Sequence, residues 1–219
     1  MMKRGLFITF EGGEGAGKST QATLLSTKLK EAGFEVVTTR EPGGTRIGEQ
    51  IRDITHNREN VDLDPAAEAY LMAASRAQHV RELIEPALEA GKIVISDRFL
   101  DSSLVYQGYG RELGEEVIGK LNALAVNGAV PDLTVFLNLP FELGMSRRGK
   151  DVKIDRLDLQ QKDFYERVHE GYLALAKKFH GRYVVIEAGK SIEEVAQEVW
   201  KVVKQRLEDR GSLFENRNS

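Results

Sequence analysis

Short apolar runs alternate with helical patterns along this chain. Residues 6–10, Leu-Phe-Ile-Thr-Phe, read as a buried strand that runs into glycines. Residues 18–32 then place Leu24, Leu25, Leu29 and Ala32 near helical spacing, with Gly33 as a stop. Residues 34–39 predict a second strand. Ala73, Ala77, Val80, Ile84 and Ala87 step by 4, 3, 4 and 3, which predicts one long helix over residues 63–89. Pro86 has no N–H, so a kink is expected one turn before it. Residues 92–96, 133–139 and 182–187 are three further strands rich in β-branched residues, and helical patterns fill 112–127, 158–179 and 191–208. Strands separated by helices imply parallel crossovers, hence an α/β fold with a five-stranded parallel sheet flanked by helices. In such sheets ligands bind beyond the carboxyl ends of the strands.

Composition narrows the function. The chain has 219 residues, which suits one domain over 1–208 with a frayed polar tail over 209–219. It has no cysteine, so disulfides, thiolate zinc sites, iron–sulfur clusters and a thiol nucleophile are excluded. Lys plus Arg number 31 against 34 Asp plus Glu, a net charge of −3, which argues against a nucleic-acid polymer as partner. Glycine is abundant at 21 while proline is only 5, pointing to backbone that approaches something closely. No run of 18 apolar residues predicts a membrane span. Met1-Met2-Lys3-Arg4 imitates the basic start of a signal peptide, but the apolar run after it stops at Glu11, so a cytoplasmic protein is expected.

The first chemistry lies at residues 12–19. Gly12-Gly13-Glu14-Gly15-Ala16-Gly17-Lys18-Ser19 fits G-x-x-x-x-G-K-[ST], between a predicted strand and a predicted helix. Average composition gives about 0.01 chance matches in a chain this long. Glycines let backbone N–H groups turn inward around phosphate oxygens, and the helix N-terminus adds partial positive charge. Lys18 is placed to reach the terminal phosphates. Ser19 is placed to ligand Mg²⁺, and Thr20 extends the loop into the helix. The loop says nucleotide but not reaction. No N-K-x-D guanine-reading motif occurs, and no second phosphate loop.

The strand over 92–96 is followed by Asp97-Arg98. An aspartate there is the expected second anchor for Mg²⁺. The adjacent arginine suits a transferase with an anionic acceptor, because two polyanions must be held together. Residues 10–21, the turn Arg40-Glu41-Pro42-Gly43-Gly44-Thr45 and residues 97–108 together resemble thymidylate kinase of the bacterial type, and the likeness runs from about residue 5 to about residue 205. The resemblance implies a P-loop nucleoside-monophosphate-kinase fold, transfer of the γ-phosphoryl group of ATP to dTMP with Mg²⁺, and a homodimer.

It also implies roles for particular residues. Met72 and Arg76, one helical turn apart, would meet the base: Met72 stands where the family stacks an aromatic on thymine, and Arg76 would donate to thymine O4. Ser103 and Gln107 would lie near the base edge, and Ser102 would also bind dTMP. Tyr106 would lie where a ribose 2′-hydroxyl would clash. Glu14 would sit near the sugar 3′-hydroxyl and the acceptor phosphate. Arg52 and Arg98 would clamp that phosphate with Arg40 assisting, on a turn made by Glu41, Pro42 and the two glycines. Ala66, Ala69 and Ala73 offer a flat helix face that fits either a dimer contact or the core.

Arg147, Arg148, Lys150, Lys153 and Arg156 crowd into ten residues with Asp151 and Asp155. Residues 146–156 therefore read as an exposed, mobile lid that closes on ATP. An arginine of this kind is worth about 10³–10⁵ in rate in P-loop enzymes. Arg147, Arg148 and Arg156 all remain candidates. The four histidines, His56, His79, His169 and His180, show no ligand spacing and are assigned no chemistry. Two other readings stay open on the residues alone: a kinase for a different nucleoside monophosphate, and an ATP-dependent switch, which would need no base pocket.

Overall fold

Strands buried on both faces carry apolar residues at nearly every position, and the three inner strands of the sheet are of that kind. The structure is a computed structural model that describes residues 4–147 and 156–211. Five parallel strands, β1 (Phe7–Glu11), β2 (Val36–Arg40), β3 (Ile93–Asp97), β4 (Leu133–Asn138) and β5 (Tyr183–Glu187), lie in the order β2-β3-β1-β4-β5. The first three extend one residue beyond the predicted ends. Backbone pairing does not stop where side chains become charged, so the ladder continues to Glu11, Arg40 and Asp97. Asp97 pairs with Phe10 on one side and Arg40 on the other, which sets these carboxyl ends in one row.

Alternate residues of β1 face opposite layers. Ile8 and Phe10 pack with Leu25, Leu29, Val199 and Val203 of the helices α1 (Lys18–Glu31) and α9 (Ile192–Asp209). Phe7 packs on the other face with Val80, Ile84, Leu88 and Phe99. Glu11 belongs to that second face by the strand's two-residue period.

The long helix predicted over 63–89 is three segments. α3 (Pro65–His79) begins with the Asp64 carboxylate accepting from Ala66 N at 2.8 Å and Ala67 N at 3.3 Å. A π-helical turn, Val80–Ile84, follows, and then α4 (Glu85–Glu89). The wide turn falls one turn before Pro86, where the missing N–H interrupts regular pairing. Ala69 and Ala73 are buried, which is the core alternative for that alanine face, and the outward stripe of α3 is Ala66, Tyr70 and Ala74.

Three elements had no predicted boundaries: α2 (Arg46–His56), α5 (Leu100–Ser103) with its π-helical continuation Leu104–Gly110, and α7 (Phe141–Arg147); a short 3-10 turn, Leu157–Leu159, stands where the helix predicted over 158–179 begins. α6 (Glu115–Val126) and α8 (Lys162–Lys178) lie inside the predicted helical ranges. The predicted loop over 146–156 is corrected at both ends. Ser146 and Arg147 are helical, and Arg156 is buried. Arg148, Lys150, Asp151, Lys153 and Asp155 lie outside the described residues, as does most of the predicted tail.

Candidate active site

The phosphate loop joins β1 to α1. Gly12, Gly15 and Gly17 all take positive φ (141°, 70° and 89°), which a side chain would disfavour. Lys18 folds back over the loop, its Nζ donating to Gly12 O at 3.1 Å and Gly13 O at 2.7 Å. Burial lowers the affinity of this ammonium for its proton, and the nearby Arg98 adds to the effect. Gly15 also touches α7 directly. A Cβ on Gly15 would strike the backbone of Gly144, and one on Gly144 would strike Glu14 O.

Ser19 at the start of α1 donates to the Asp97 carboxylate at the end of β3. Two hard oxygen donors thus meet beside the loop. That set fits Mg²⁺, which takes few protein oxygens and fills its other positions with water and substrate phosphate.

Arg98 has φ of 70°, which is uncommon for a residue with a side chain and turns its guanidinium back toward the loop. Nη1 donates to Gly12 O at 3.0 Å, Ser102 Oγ at 3.2 Å and Tyr172 OH at 3.2 Å. Nη2 donates to Glu14 Oε1 at 2.5 Å and Tyr106 OH at 3.1 Å. Behind it, Glu11 accepts from Phe99 N at 2.9 Å, Ser102 Oγ at 2.5 Å and Tyr172 OH at 3.0 Å. Burial first, and the charge of Asp101 second, raise Glu11 to about 7.

Two cavities adjoin here. One is lined by the loop residues Glu14, Gly15, Gly17, Lys18, Ser19 and Thr20 together with Arg40, Asp97 and Arg147. The other is lined by Pro42, Met72, Arg76, Ser102, Ser103, Tyr106 and Gln107, with His56 and Leu157. Glu14, Glu41, Arg52 and Arg98 line both. The seam between the cavities therefore carries two arginines, each open to both cavities, beside two glutamates.

The arginines differ in how far they are committed. Arg52 Nη1 donates to Pro42 O at 3.1 Å, and Arg40 pairs with Glu49 at 2.7 Å. Arg76 is nearly sealed: it donates through Nε to Glu41 at 2.8 Å, through Nη2 to Phe99 O at 3.1 Å and through Nη1 to Asn122. His79 holds the other Glu41 oxygen at 2.9 Å and Thr39 Oγ1 at 2.7 Å. Arg147 reaches the phosphate cavity while donating to Ala188 O at 2.7 Å. Arg156 points elsewhere. Its Nε donates to Thr55 O at 3.0 Å and its Nη2 to Glu68, so the described structure does not bring it to the loop. Arg148 lies outside the described residues.

Residues that the sequence did not single out complete the site. Glu11, Glu68, Asn122 and Tyr172 are buried polar groups at the turns of charged networks, and Arg111 joins Glu68 at 3.1 Å. His79 was assigned no chemistry, yet it fixes Glu41. Its signal in the sequence was its place three residues after Arg76 on one helix face.

A parallel sheet with a phosphate loop, a magnesium-type oxygen pair and a second pocket facing the loop across an arginine defines a P-loop kinase of the nucleoside-monophosphate type. Residues 10–199 match the family model described as thymidylate kinase. The chain is 46% identical over 216 residues to the thymidylate kinase of Geobacillus thermodenitrificans, covering 98% of this chain and 96% of the other. It is 48% identical over 204 residues to that of Halothermothrix orenii, covering 92% and 97%. The crystal structure of thymidylate kinase from Ehrlichia chaffeensis superposes with a TM-score of 0.75 at 36% identity, over 92% of this chain and 99% of that one. This chain belongs to the thymidylate kinase family.

Proposed function

We propose that this chain transfers the γ-phosphoryl group of ATP to dTMP, giving dTDP and ADP, in the synthesis of dTTP. ATP phosphates occupy the loop over residues 12–20, and dTMP occupies the pocket of Met72, Arg76 and Gln107. The observation that carries the reading is Arg98, which lines both cavities and bonds to the loop itself.

The acceptor is already a phosphate, mostly dianionic near neutrality because its second pKa is about 6. No strong base is needed to free its attacking oxygen. Positioning and charge neutralisation do the work. Lys18 and a lid arginine neutralise the phosphoryl group in transfer, with Arg147 favoured by its place in the phosphate cavity. Arg98 and Arg52 hold the acceptor phosphate in line, and Glu14 sits between it and the sugar. Ser19 and Asp97 would hold Mg²⁺, which when bound neutralises phosphate charge. Met72 lies flat on the base as a polarizable thioether. Tyr106, whose hydroxyl burial raises well above its usual range, stays a neutral donor beside the sugar.

Exposed apolar side chains on α2, α3 and α6 support a homodimer. They are Tyr70 (66% exposed), Leu124 (79%), Val117 (57%) and Ile54. On this reading a second copy of the chain covers these side chains, and light scattering of Tyr70→Lys with Leu124→Lys is expected to give monomers. No helix among the described residues is long and apolar enough to cross a membrane, and we place the enzyme in the cytoplasm.

The deciding experiment is coupled turnover with ATP, with and without dTMP and the other common monophosphates. Turnover is expected to depend on dTMP. A clear preference for another base, or ATP hydrolysis indifferent to dTMP, overturns the reading.

A further inference from the structure

Glu68, on the first turn of α3, is completely buried. Its Oε1 accepts from Gln107 Nε2 at 2.7 Å. Its Oε2 accepts from Arg111 Nη2 at 3.1 Å and from Arg156 Nη2. Burial works against the charge of this carboxylate, but Arg111, Arg156 and Gln107 more than offset it and hold the group below its usual carboxylate range. It is therefore ionised, and an ionised carboxylate can only accept.

That fact settles which way the Gln107 amide faces. Oxygen and nitrogen of an amide differ little in shape, so their order is set by hydrogen-bond partners. Glu68 takes the nitrogen. Among the described residues the Gln107 side chain bonds only through its nitrogen, which leaves its side-chain oxygen Oε1 without a donor, and Gln107 lines the same pocket as Met72 and Ser103.

On the reading of that pocket as the dTMP site, on which this inference rests, we propose that Glu68 sets the polarity with which the base is read: by claiming the Gln107 nitrogen it presents an acceptor to the base edge. Thymine carries a hydrogen on N3 and supplies the matching donor. Cytosine has a bare lone pair at N3 and meets the carbonyl acceptor to acceptor. If the amide turned over, the preference would reverse. Uracil shares the N3 hydrogen and is not excluded by this device. Glu68 touches no substrate and is a positioning residue acting through Gln107.

The test is a cycle of Glu68→Gln, Gln107→Leu and the double variant, with kcat and KM measured for dTMP, dCMP and ATP. Gln at position 68 keeps the shape but can donate as well as accept, which releases the amide. Glu68→Gln is expected to lower the preference for dTMP over dCMP at least about tenfold, through KM of the monophosphates, with KM for ATP unmoved. In the Gln107→Leu background the same change is expected to add nothing to the preference. An unchanged preference in folded Glu68→Gln overturns the proposal. So does an equal loss in the Gln107→Leu background, which would mean that Glu68 acts through Arg111 or Arg156. Should Glu68→Gln fail to fold, Gln107→Leu decides alone: a retained preference overturns the proposal, and a loss of the same size supports it. Failure of the unaltered enzyme to use dTMP is a separate outcome, and it strikes the pocket assignment itself.

Discussion

Arg98 Nη2 and Glu14 Oε1 stand 2.5 Å apart at the seam between the two cavities. The guanidinium also holds Gly12 O, Ser102, Tyr172 and Tyr106. A point charge cannot reproduce that fan of contacts. Arg98→Lys is therefore expected to lose nearly as much kcat/KM for dTMP as Arg98→Ala, about 10²–10³-fold. Steady-state kinetics checks this, and substantial rescue by lysine would show that charge alone matters.

Lys18 is buried, and it ties down the carbonyls of Gly12 and Gly13. Lys18→Ala is expected to cut kcat by at least about 10²-fold while the fold survives, because the loop keeps its glycine geometry. Circular dichroism together with turnover decides it. Near-normal turnover would remove the loop from the mechanism.

Arg76 is a less clean probe than its position suggests. Removing it leaves Glu41 buried with His79 alone, and breaking a buried pair typically costs about 3–5 kcal/mol. Arg76→Ala is expected to raise KM for dTMP far more than KM for ATP, and also to lower the melting temperature. Arg76→Met combined with Glu41→Leu is expected to recover much of the stability and none of the dTMP affinity. Equal effects on both substrates would place Arg76 outside the base pocket.

Two groups give stability opposite slopes with pH. His56 is lowered to about 4, by burial first and the charge of Arg52 second, so the folded chain holds it neutral. The unfolded chain takes up a proton below about 6.5, so this contribution is complete above that pH and is lost as pH falls toward 4, at most about 3 kcal/mol. Glu11 is raised to about 7, so the folded chain keeps a proton that the unfolded chain releases near 4.5. Its contribution is complete below about 4.5 and is lost as pH rises to 7. Denaturant melts from pH 4 to 7.5 are expected to flatten at the acid end in His56→Gln. In Glu11→Gln, stability relative to the parent is expected to rise across the same range. The reverse trend in either variant would contradict the assignment.

Where the chain carries its information explains what could be read from it. The phosphate loop and Asp97-Arg98 were legible because they are contiguous and sit at strand ends, where the fold needs nothing else of them. The strands were legible to within a residue or two: burial on both faces leaves an apolar run in the inner three, and β-branched residues mark the two edge strands. The charged last residues, Glu11, Arg40 and Asp97, fell outside those runs although backbone pairing includes them. Glu68 and Asn122 were not legible, because their partners Gln107, Arg156 and Arg76 are 39, 88 and 46 residues away. Arg156 looked like one more cation in a basic loop. Only the tertiary contact with Glu68 turns it inward. The π-helical turns have a local cause at Pro86, but at residues 104–110 no sequence signal announces the second one.

Gly15 and Gly144 meet backbone to backbone, with no room for a carbon on either. Neither position can compensate for growth at the other, since neither has anything to give up. A larger residue at either site could be absorbed only by moving Phe141–Arg147 as a unit, and that helix carries Arg147 into the phosphate cavity. Engineering of the nucleotide loop thus has a hidden second address, more than a hundred residues downstream, where every change in bulk becomes a change in the aim of a cation.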